Sequence, residues 1–284
     1  MEEKNLQNKK AVFRIGDEIL TELDPANMEQ VDEDIVSVTR ENLGFIQEND
    51  IKVFQDEFWI GDEMFLINIL EKKGRNTQKY FVPHDDEDTA FDAGLRAIKH
   101  GGVLIALENN GERNLFSFGE QYGPNKQDPN RMFFEENHYW PLAERIKDLL
   151  FEVNEDLVIT LHNNKPKGDF HLGEIETWNN IDILSRLDPN EKSMIWIAGN
   201  TQAPNRDVER ELEYYKDFGL NVVYEFVPEN SESDGSLSMY SVLNGRKYRN
   251  IEIMSGKKGD KESEQEARQK QIKYLDTLRN FYAL

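Results

Sequence analysis

Four short runs of apolar residues constrain the fold of this 284-residue chain most strongly. They lie at residues 103–107, 157–161, 194–198 and 221–227, the last of which also contains the polar residues Asn221 and Glu225. Continuous apolar runs of this length are typical of β-strands that are buried on both faces. Residues 90–98 and 206–218, which precede two of the runs, have the apolar spacing of amphipathic helices. The alternation predicts an α/β fold in which helices cover both faces of a sheet.

The first 50 residues differ from the rest of the chain. They are acidic and weakly patterned, so we expect an N-terminal extension of unknown role at 1–50 and a main domain at 51–284. Within the main domain, extended segments at 51–60 and 63–70 flank Gly61-Asp62, a pair that favours a hairpin turn. The domain ends in a predicted helix at 265–284, whose apolar residues share one face.

Charge and composition argue against several classes of protein. The formal net charge of −21 argues against nucleic-acid binding, because phosphate contacts need basic surface and the sequence has no basic stripe. No apolar run approaches the ~18 residues of a membrane span, so we expect no membrane association. The negative charge would favour cationic substrates, although solubility alone is the simpler explanation for it.

The chain has no cysteine, which limits the metal chemistry available to it. Thiolate sites and disulfides are excluded, so any metal ion must bind histidine, aspartate or glutamate side chains. The absence of cysteine and of a visible signal peptide predicts a cytoplasmic protein, with export as the alternative.

A candidate metal site begins at His84, which follows a predicted strand at 79–83. Glu87 lies three residues later, and residues at that spacing can point to the same side of a turn or a helix start. Imidazole and carboxylate groups both bind Zn²⁺, but a catalytic zinc needs three protein ligands. His162, directly after the apolar run at 157–161, is the candidate third ligand. Taken alone, each of these residues is more often an ordinary turn or strand-end residue.

Two further segments supply polar residues that a hydrolytic site requires. The first is the D-P-N-R sequence at 128–131, in which Arg131 is suited to bind a carboxylate and Asp128 to orient a ligand histidine. The second is a predicted strand at 250–254, in which Glu252 lies between two isoleucines. Alternation places Glu252 on the face opposite to the isoleucines, where it either faces solvent or acts as a general base.

These segments, in this order, resemble the zinc carboxypeptidase family, of which carboxypeptidase A is the familiar member. The resemblance rests on the H-x-x-E pair, the D-x-N-R motif, the later histidine and a segment G-S-L…G-R-K-Y…E that ends at Glu252. It spans residues 64–284 and implies a catalytic domain at 51–284. It also implies a three-layer α/β/α sandwich with a mixed, mostly parallel central sheet, and one Zn²⁺ ion. The implied zinc ligands are His84, Glu87 and His162, with Asp128 supporting the histidine ligation.

The same resemblance implies roles for the other motif residues. Glu252 would be the catalytic base, and Asn130 and Arg131 would bind a carboxylate of the substrate. Arg113, seventeen residues before Asn130, would contact the substrate and polarise the scissile carbonyl. The implied function is zinc-dependent cleavage of an amide or peptide bond next to a carboxylate-bearing residue, as in a metallocarboxypeptidase.

Two alternatives stay open. The succinylglutamate desuccinylase and aspartoacylase-like branch shares these motifs, and membership in it would make the chain an amidase or deacylase of N-acyl amino acids. That branch is favoured because the family's mobile tyrosine would fall near Asn230, with Tyr224 and Tyr240 out of register, and because the chain is short for a family peptidase. The G-S-L…G-R-K-Y segment favours the carboxypeptidase branch instead. The other alternative is a catalytically silent protein that binds a peptide through its terminal carboxylate. The expected partner is thus a peptide or an N-acyl amino acid, and the sequence indicates no particular oligomeric state.

Overall fold

The computed structural model of the chain describes residues 10–25, 33–37, 40–109, 111–115, 127–151, 157–168 and 170–283. Its strands are β1 (Val12–Ile15), β2 (Glu18–Thr21), β3 (Lys52–Ile60), β4 (Glu63–Lys72), β5 (Lys79–Val82), β6 (Gly102–Glu108), β7 (Leu157–Asn164), β8 (Ile181–Ser185), β9 (Met194–Gly199), β10 (Val222–Phe226) and β11 (Lys247–Met254). Its α-helices are α1 (Glu33–Val36), α2 (Asn42–Glu48), α3 (Asp88–Ala97), α4 (Trp140–Leu150), α5 (Leu172–Ile175), α6 (Arg206–Asp217), α7 (Leu237–Leu243) and α8 (Lys261–Tyr282). Short 3₁₀ turns lie at Ile98–His100 and Pro129–Arg131.

Nine of the described strands form one sheet in the order β3-β4-β6-β5-β7-β11-β9-β10-β8, and β1 pairs with β2 in a separate hairpin. The pairs β6–β5, β5–β7, β7–β11 and β9–β10 are parallel, and the other four pairs are antiparallel. Six strands (β3, β5, β6, β7, β8 and β11) therefore run in one direction and three in the other. The predicted mixed, mostly parallel sheet is confirmed.

Helices pack on both faces of the sheet and complete the three layers. The first face carries Val158 and Tyr248, which share an apolar core with residues of α4 and α7. The second face carries Ile159 and Ile251, which share another core with residues of α3, α6 and α8. Alternate residues of the same strands enter the two cores, so apolar residues lie on both faces of the sheet, as the apolar runs predicted.

The predicted hairpin is confirmed, since β3 and β4 pair antiparallel across Gly61-Asp62 and Gly61 has a φ of +60°. Two predicted strands are longer than expected. β11 begins at Lys247 rather than residue 250, and β7 continues to Asn164, because the two strands pair in parallel along eight residues. His162 therefore lies inside β7 and not at its end.

The C-terminal helix begins at Lys261 instead of residue 265. Asp260 caps it by accepting a hydrogen bond from the backbone N–H of Ser263. Leu284, where the predicted helix ends, is outside the described residues. The edge strand β8 was not predicted, because its five residues are too few to give a clear periodic pattern.

The described part of residues 10–50 packs against the body of the protein. Ile15 of the β1–β2 hairpin joins the first core, and Ile35 and Ile46 join the second. Leu23 forms an isolated bridge with Val53 of β3. A separate role for residues 1–50 stays a prediction. No helix in the described ranges is both long enough and apolar enough to cross a bilayer.

The carboxyl ends of β5, β7 and β11 lie at the same edge of the sheet, because these neighbouring strands are parallel. His84 follows β5, and His162 and Glu252 lie near the ends of β7 and β11, where their backbones are directly paired. In open α/β sheets this edge is where ligands bind.

Candidate metal centre

The three predicted metal ligands converge on one point. The His84 Nδ1 atom lies 2.9 Å from Glu87 Oε1 and 3.1 Å from His162 Nδ1, and His162 Nδ1 lies 3.2 Å from Glu87 Oε2. All three side chains are buried. They form a group that could hold a metal ion, with one ligand atom from each residue within 4.8 Å of the others.

The fold places each ligand for a local reason. His84 lies on the turn between β5 and α3, and Glu87 is the N-cap residue of α3, so both leave the same sheet edge. His162 comes from β7, which is the neighbour of β5 in the sheet. Asn163 joins the two elements, because its Oδ1 accepts hydrogen bonds from the Ala90 backbone N–H and the Thr89 hydroxyl at the start of α3.

The spacing of the ligand atoms fits a metal ion. In a tetrahedral zinc site with bonds of 2.0–2.1 Å, neighbouring ligand atoms are about 3.3 Å apart, close to the 2.9–3.2 Å separations in this group. Glu87 Oε2 is buried and has no hydrogen-bond partner, so it is available as a ligand atom.

The electrostatics of the group also favour a cation. Burial opposes protonation of His84, but the charge of Glu87 and the hydrogen bonds to Asp128 and Glu87 outweigh burial and raise the pKa of His84 to about 9. Burial would raise the pKa of Glu87, yet the two histidines hold it well below its usual range. Positive charge is therefore stabilised where the ligand atoms meet, and a metal ion can replace the proton.

Asp128 lies on the outer side of His84. Its Oδ1 is 2.9 Å from His84 Nε2, the ring nitrogen that faces away from the ligand group. The same carboxylate accepts a hydrogen bond from the Asn130 backbone N–H, which fixes it at the start of the 3₁₀ turn. The hydrogen bonds from His84 and Asn130 keep the pKa of Asp128 below its usual range despite burial. This arrangement can orient the histidine and select its tautomer.

Arg113 contacts the ligand group through Glu87. Its Nη1 donates a hydrogen bond to Glu87 Oε1 at 2.7 Å. The Arg113 side chain is 38% exposed, and its other N–H groups are not used in this contact. Asp85 holds the loop that carries Arg113, because its Oδ2 accepts the backbone N–H groups of Asn109 and Gly111.

Glu252 faces the cavity and not bulk solvent. Its backbone is paired with that of His162 on the neighbouring strand, and its side chain is 8% exposed. The flanking residues Ile251 and Ile253 point into the second core, so the predicted alternation is confirmed. Asn250 donates a hydrogen bond to Glu252 Oε1 at 2.9 Å. Burial raises the pKa of Glu252, an effect that the nearby His162 partly offsets.

Asn130 and Arg131 line the same cavity. Asn130 Oδ1 is buried and has no hydrogen-bond partner among the described residues. Arg131 forms an ion pair with Asp234 at 2.5 Å, a contact that the sequence did not predict. Gly235, at the start of the G-S-L segment, lies directly against the D-P-N-R motif. Its φ is +79°, and a Cβ there would lie 2.5 Å from the Arg131 carbonyl oxygen. A glycine is therefore required where the two backbones meet.

The site opens into a cavity of about 580 Å³ over the first face of the sheet. All the predicted site residues except the buried Glu87 line it. Its far end is formed by Phe170, Trp178, Trp196, Glu225 and Ser238. Neither Tyr224 nor Tyr240 is among the described residues that line it.

Several residues around the site were missed by the sequence analysis. Asn250 could have been found, because strand alternation places it on the same face as Glu252. Asn163, Asp85 and Asp234 carry no local signal. Their partners lie 73, 24 and 103 residues away in the chain.

No protein-family model and no curated protein matches the chain. It is similar to the solved structure of thrombin activatable fibrinolysis inhibitor, with 10% identity, 87% of this chain and 77% of that chain covered, and a TM-score of 0.47. A metallo-carboxypeptidase from Burkholderia cenocepacia is 9% identical, with 85% of this chain and 69% of that chain covered and a TM-score of 0.41. An aspartoacylase family protein from Mesorhizobium loti is 14% identical, with 72% of this chain and 60% of that chain covered and a TM-score of 0.36. Metallo-carboxypeptidase and aspartoacylase-like proteins, which the motifs resemble, are thus among the similar solved structures.

Proposed function

We propose that the chain is a zinc-dependent hydrolase that cleaves an amide or peptide bond next to a carboxylate-bearing residue. The observation that carries the proposal is the buried group of His84, Glu87 and His162 with Glu252 beside it on the neighbouring strand. A histidine–carboxylate ligand set combined with a separate buried carboxylate is the combination that metal-assisted hydrolysis requires.

His84, Glu87 and His162 would hold the metal through His84 Nδ1, His162 Nδ1 and the Glu87 carboxylate. When bound, zinc would supply a Lewis acid that polarises a carbonyl and lowers the pKa of a bound water to about 7. Asp128 would keep the proton of His84 on Nε2, so that Nδ1 presents its lone pair to the ligand group.

Glu252 would act as the general base. Its carboxylate would accept a proton from the attacking water and then transfer that proton to the nitrogen of the leaving amine. Asn250 supports this role, because its hydrogen bond to Oε1 fixes the carboxylate and leaves Oε2 for the proton. The raised pKa of the buried carboxyl moves Glu252 toward the value that suits a base near neutral pH.

Arg113, Asn130 and Arg131 would bind the substrate. The N–H groups of Arg113 that do not contact Glu87 can donate to the carbonyl oxygen, on which negative charge develops during attack. Arg131 and Asn130, whose Oδ1 has no hydrogen-bond partner among the described residues, line the cavity and would hold the ends of a peptide or an N-acyl amino acid. A substrate carboxylate would bind Arg131 together with Asp234, or it would displace Asp234 from Arg131.

The second candidate is an amidase or deacylase of N-acyl amino acids, with the same ligands and base. It is favoured by the absence of Tyr224 and Tyr240 from the cavity lining. A panel of blocked dipeptides and N-acyl amino acids, incubated with the zinc-loaded protein, separates the two candidates by which amide is cleaved.

The metal site is tested by zinc analysis of the purified protein and its His162→Ala variant. We expect about one zinc per wild-type chain and a large loss in the variant, because second-sphere changes alone already cost 10–100-fold in affinity. His138→Ala removes an exposed histidine away from the site and should keep its zinc. Full zinc content in the His162→Ala variant would overturn the assignment, and cleavage of neither substrate class would contradict the proposed activity.

A further inference from the structure

We propose that the far end of the cavity binds a positively charged group of the substrate, with Glu225 as its counter-charge. The inference names the substrate class of the hydrolase proposed above and rests on that proposal. It concerns the part of the cavity bounded by Phe170, Trp178, Trp196 and Glu225, which we call the aromatic end.

The register of the sheet places the aromatic end on the same face as the proposed base. Ala198 of β9 pairs with Tyr248 on one side and with Glu225 on the other. Directly paired residues point to the same side of a sheet, so Glu225 and Tyr248 share a face. Tyr248 and Glu252 share it too, because they are four residues apart in one strand. One substrate lying along this face can therefore reach Glu252 and Glu225 together.

Glu225 has neutral hydrogen-bond donors but no cationic partner. Its Oε2 accepts the indole N–H of Trp196 at 2.7 Å, and the Ser238 hydroxyl also bonds to it. In the described part of the chain, no lysine or arginine lies within ion-pair distance of this carboxylate. Burial raises the pKa of Glu225, and the hydrogen bonds from Trp196 and Ser238, together with the more distant charge of Arg131, oppose this effect.

The cations that line the cavity already have acidic partners. Arg113 is paired with Glu87, Arg131 with Asp234 at 2.5 Å, and Lys165 with Asp86 at 3.1 Å. None of them forms an ion pair with Glu225. A cation supplied by the ligand would give this carboxylate a direct ionic partner.

The walls of the aromatic end also suit a cation. The rings of Phe170, Trp178 and Trp196 contact one another, with centroids 5.7–6.5 Å apart, and all three line the cavity. The faces of aromatic rings attract ammonium and guanidinium groups and pack against the methylenes that carry them. A purely apolar ligand group would bury the Glu225 charge without a partner, and an anionic one would be repelled.

Binding of arginine and citrulline tests the inference without any turnover. The two ligands have nearly the same shape, but the citrulline urea is neutral. Isothermal titration of the zinc-loaded full chain should give an affinity for arginine that is about ten- to a hundredfold higher, as expected for a hydrogen bond to a charged group. Glu225→Gln keeps an acceptor for the Trp196 N–H and should bring the ratio close to one. Glu225→Asp keeps the charge and should retain a preference.

Glu229→Gln removes a charge from an exposed position in the next loop and should leave the ratio unchanged. Equal binding of arginine and citrulline by the wild type, or an unchanged ratio in the Glu225→Gln variant, would overturn the inference. Hydrolysis of blocked dipeptides ending in lysine or in norleucine separates this outcome from failure of the proposed function. Cleavage of both at equal kcat/KM overturns the inference alone. Preferred arginine binding with no hydrolysis of any substrate supports the cationic pocket and contradicts the hydrolase.

Discussion

Alternate residues of β7, β11 and β9 build two chemically different faces of one sheet. The first face carries the polar or amphipathic residues Thr160, His162, Asn250, Glu252 and Trp196, none more than 8% exposed. The second face carries Ile159, Leu161, Ile195, Ile197, Ile251 and Ile253, all with no exposed surface. Both faces are buried, so burial does not distinguish them. The polar face needs specific partners for its groups, whereas the aliphatic face needs only close packing.

The segments that cover the two faces also differ. Helices α3 and α8 pack on the second face and close it completely. Near the site, the first face is covered by loops that carry Arg113, Asp128 and Ser236, and the cavity lies beneath them. The comparison predicts that changes on the first face affect chemistry and changes on the second affect stability.

The largest effect is expected for Glu252→Gln on the first face. Glutamine has nearly the same shape but cannot take the proton, so kcat should fall by about 10²–10⁴-fold. Zinc content and the thermal unfolding midpoint should stay close to those of the wild type, as metal analysis and circular dichroism can check. A variant with kcat within a factor of ten of the wild type would show that the base lies elsewhere.

Replacement of Ile251, the adjacent residue on the second face, should lower stability and leave catalysis unchanged. Ile251→Ala leaves a cavity between the sheet and the helices, and the free energy of unfolding should fall by about 2–5 kcal/mol. Urea denaturation measures the loss. The variant that remains folded should keep the wild-type kcat/KM, and a selective loss of kcat would show that the two faces are not functionally separate.

Removal of zinc should destabilise the protein through the first face alone. At a free zinc concentration a hundred times the Kd, binding contributes about 2.7 kcal/mol to the free energy of unfolding. Chelation should therefore lower the urea midpoint of the wild type. The His162→Ala variant serves as the control, because its midpoint should not depend on zinc. An equal response of the two proteins would place the stabilising metal outside the His84 group.

A smaller and more local effect is expected for Gly235→Ala. The left-handed backbone and the close Arg131 carbonyl oxygen make a side chain costly, by about 1–3 kcal/mol. Because Gly235 holds the segment with Arg131 over the first face, KM should rise as well. Gly94→Ala in α3 is the matched control, since its Cβ would meet the Leu104 and Leu161 side chains of the second face. That variant should lose stability with KM unchanged.

Local patterns were enough to predict the part of the site that lies close in sequence. His84 and Glu87 are three residues apart on one turn, so their convergence depends on few backbone angles. The face of Glu252 also followed from strand alternation. The partners of Asp85 and Asn163 could not be predicted, because these hydrogen bonds join segments 24 and 73 residues apart without any periodic signal.

The Arg131–Asp234 ion pair shows the same limit for charge. The D-P-N-R motif predicted an arginine that binds a substrate carboxylate, and the structure pairs this arginine with an aspartate 103 residues away. Sequence composition gives the number of charges in a chain, but their partners depend on which loops meet above the sheet.

The sequence by itself determined the α/β class, most of the strands and the membership of the His84, Glu87 and His162 group. These depend on residue periodicity and side-chain chemistry, which are local properties. Only the tertiary structure decided that Glu252 faces a buried cavity instead of solvent, and that Glu225 and three aromatic rings form its far end. The reason is that a strand fixes which residues share a face, whereas the layer packed above that face decides whether they meet water, protein or a ligand.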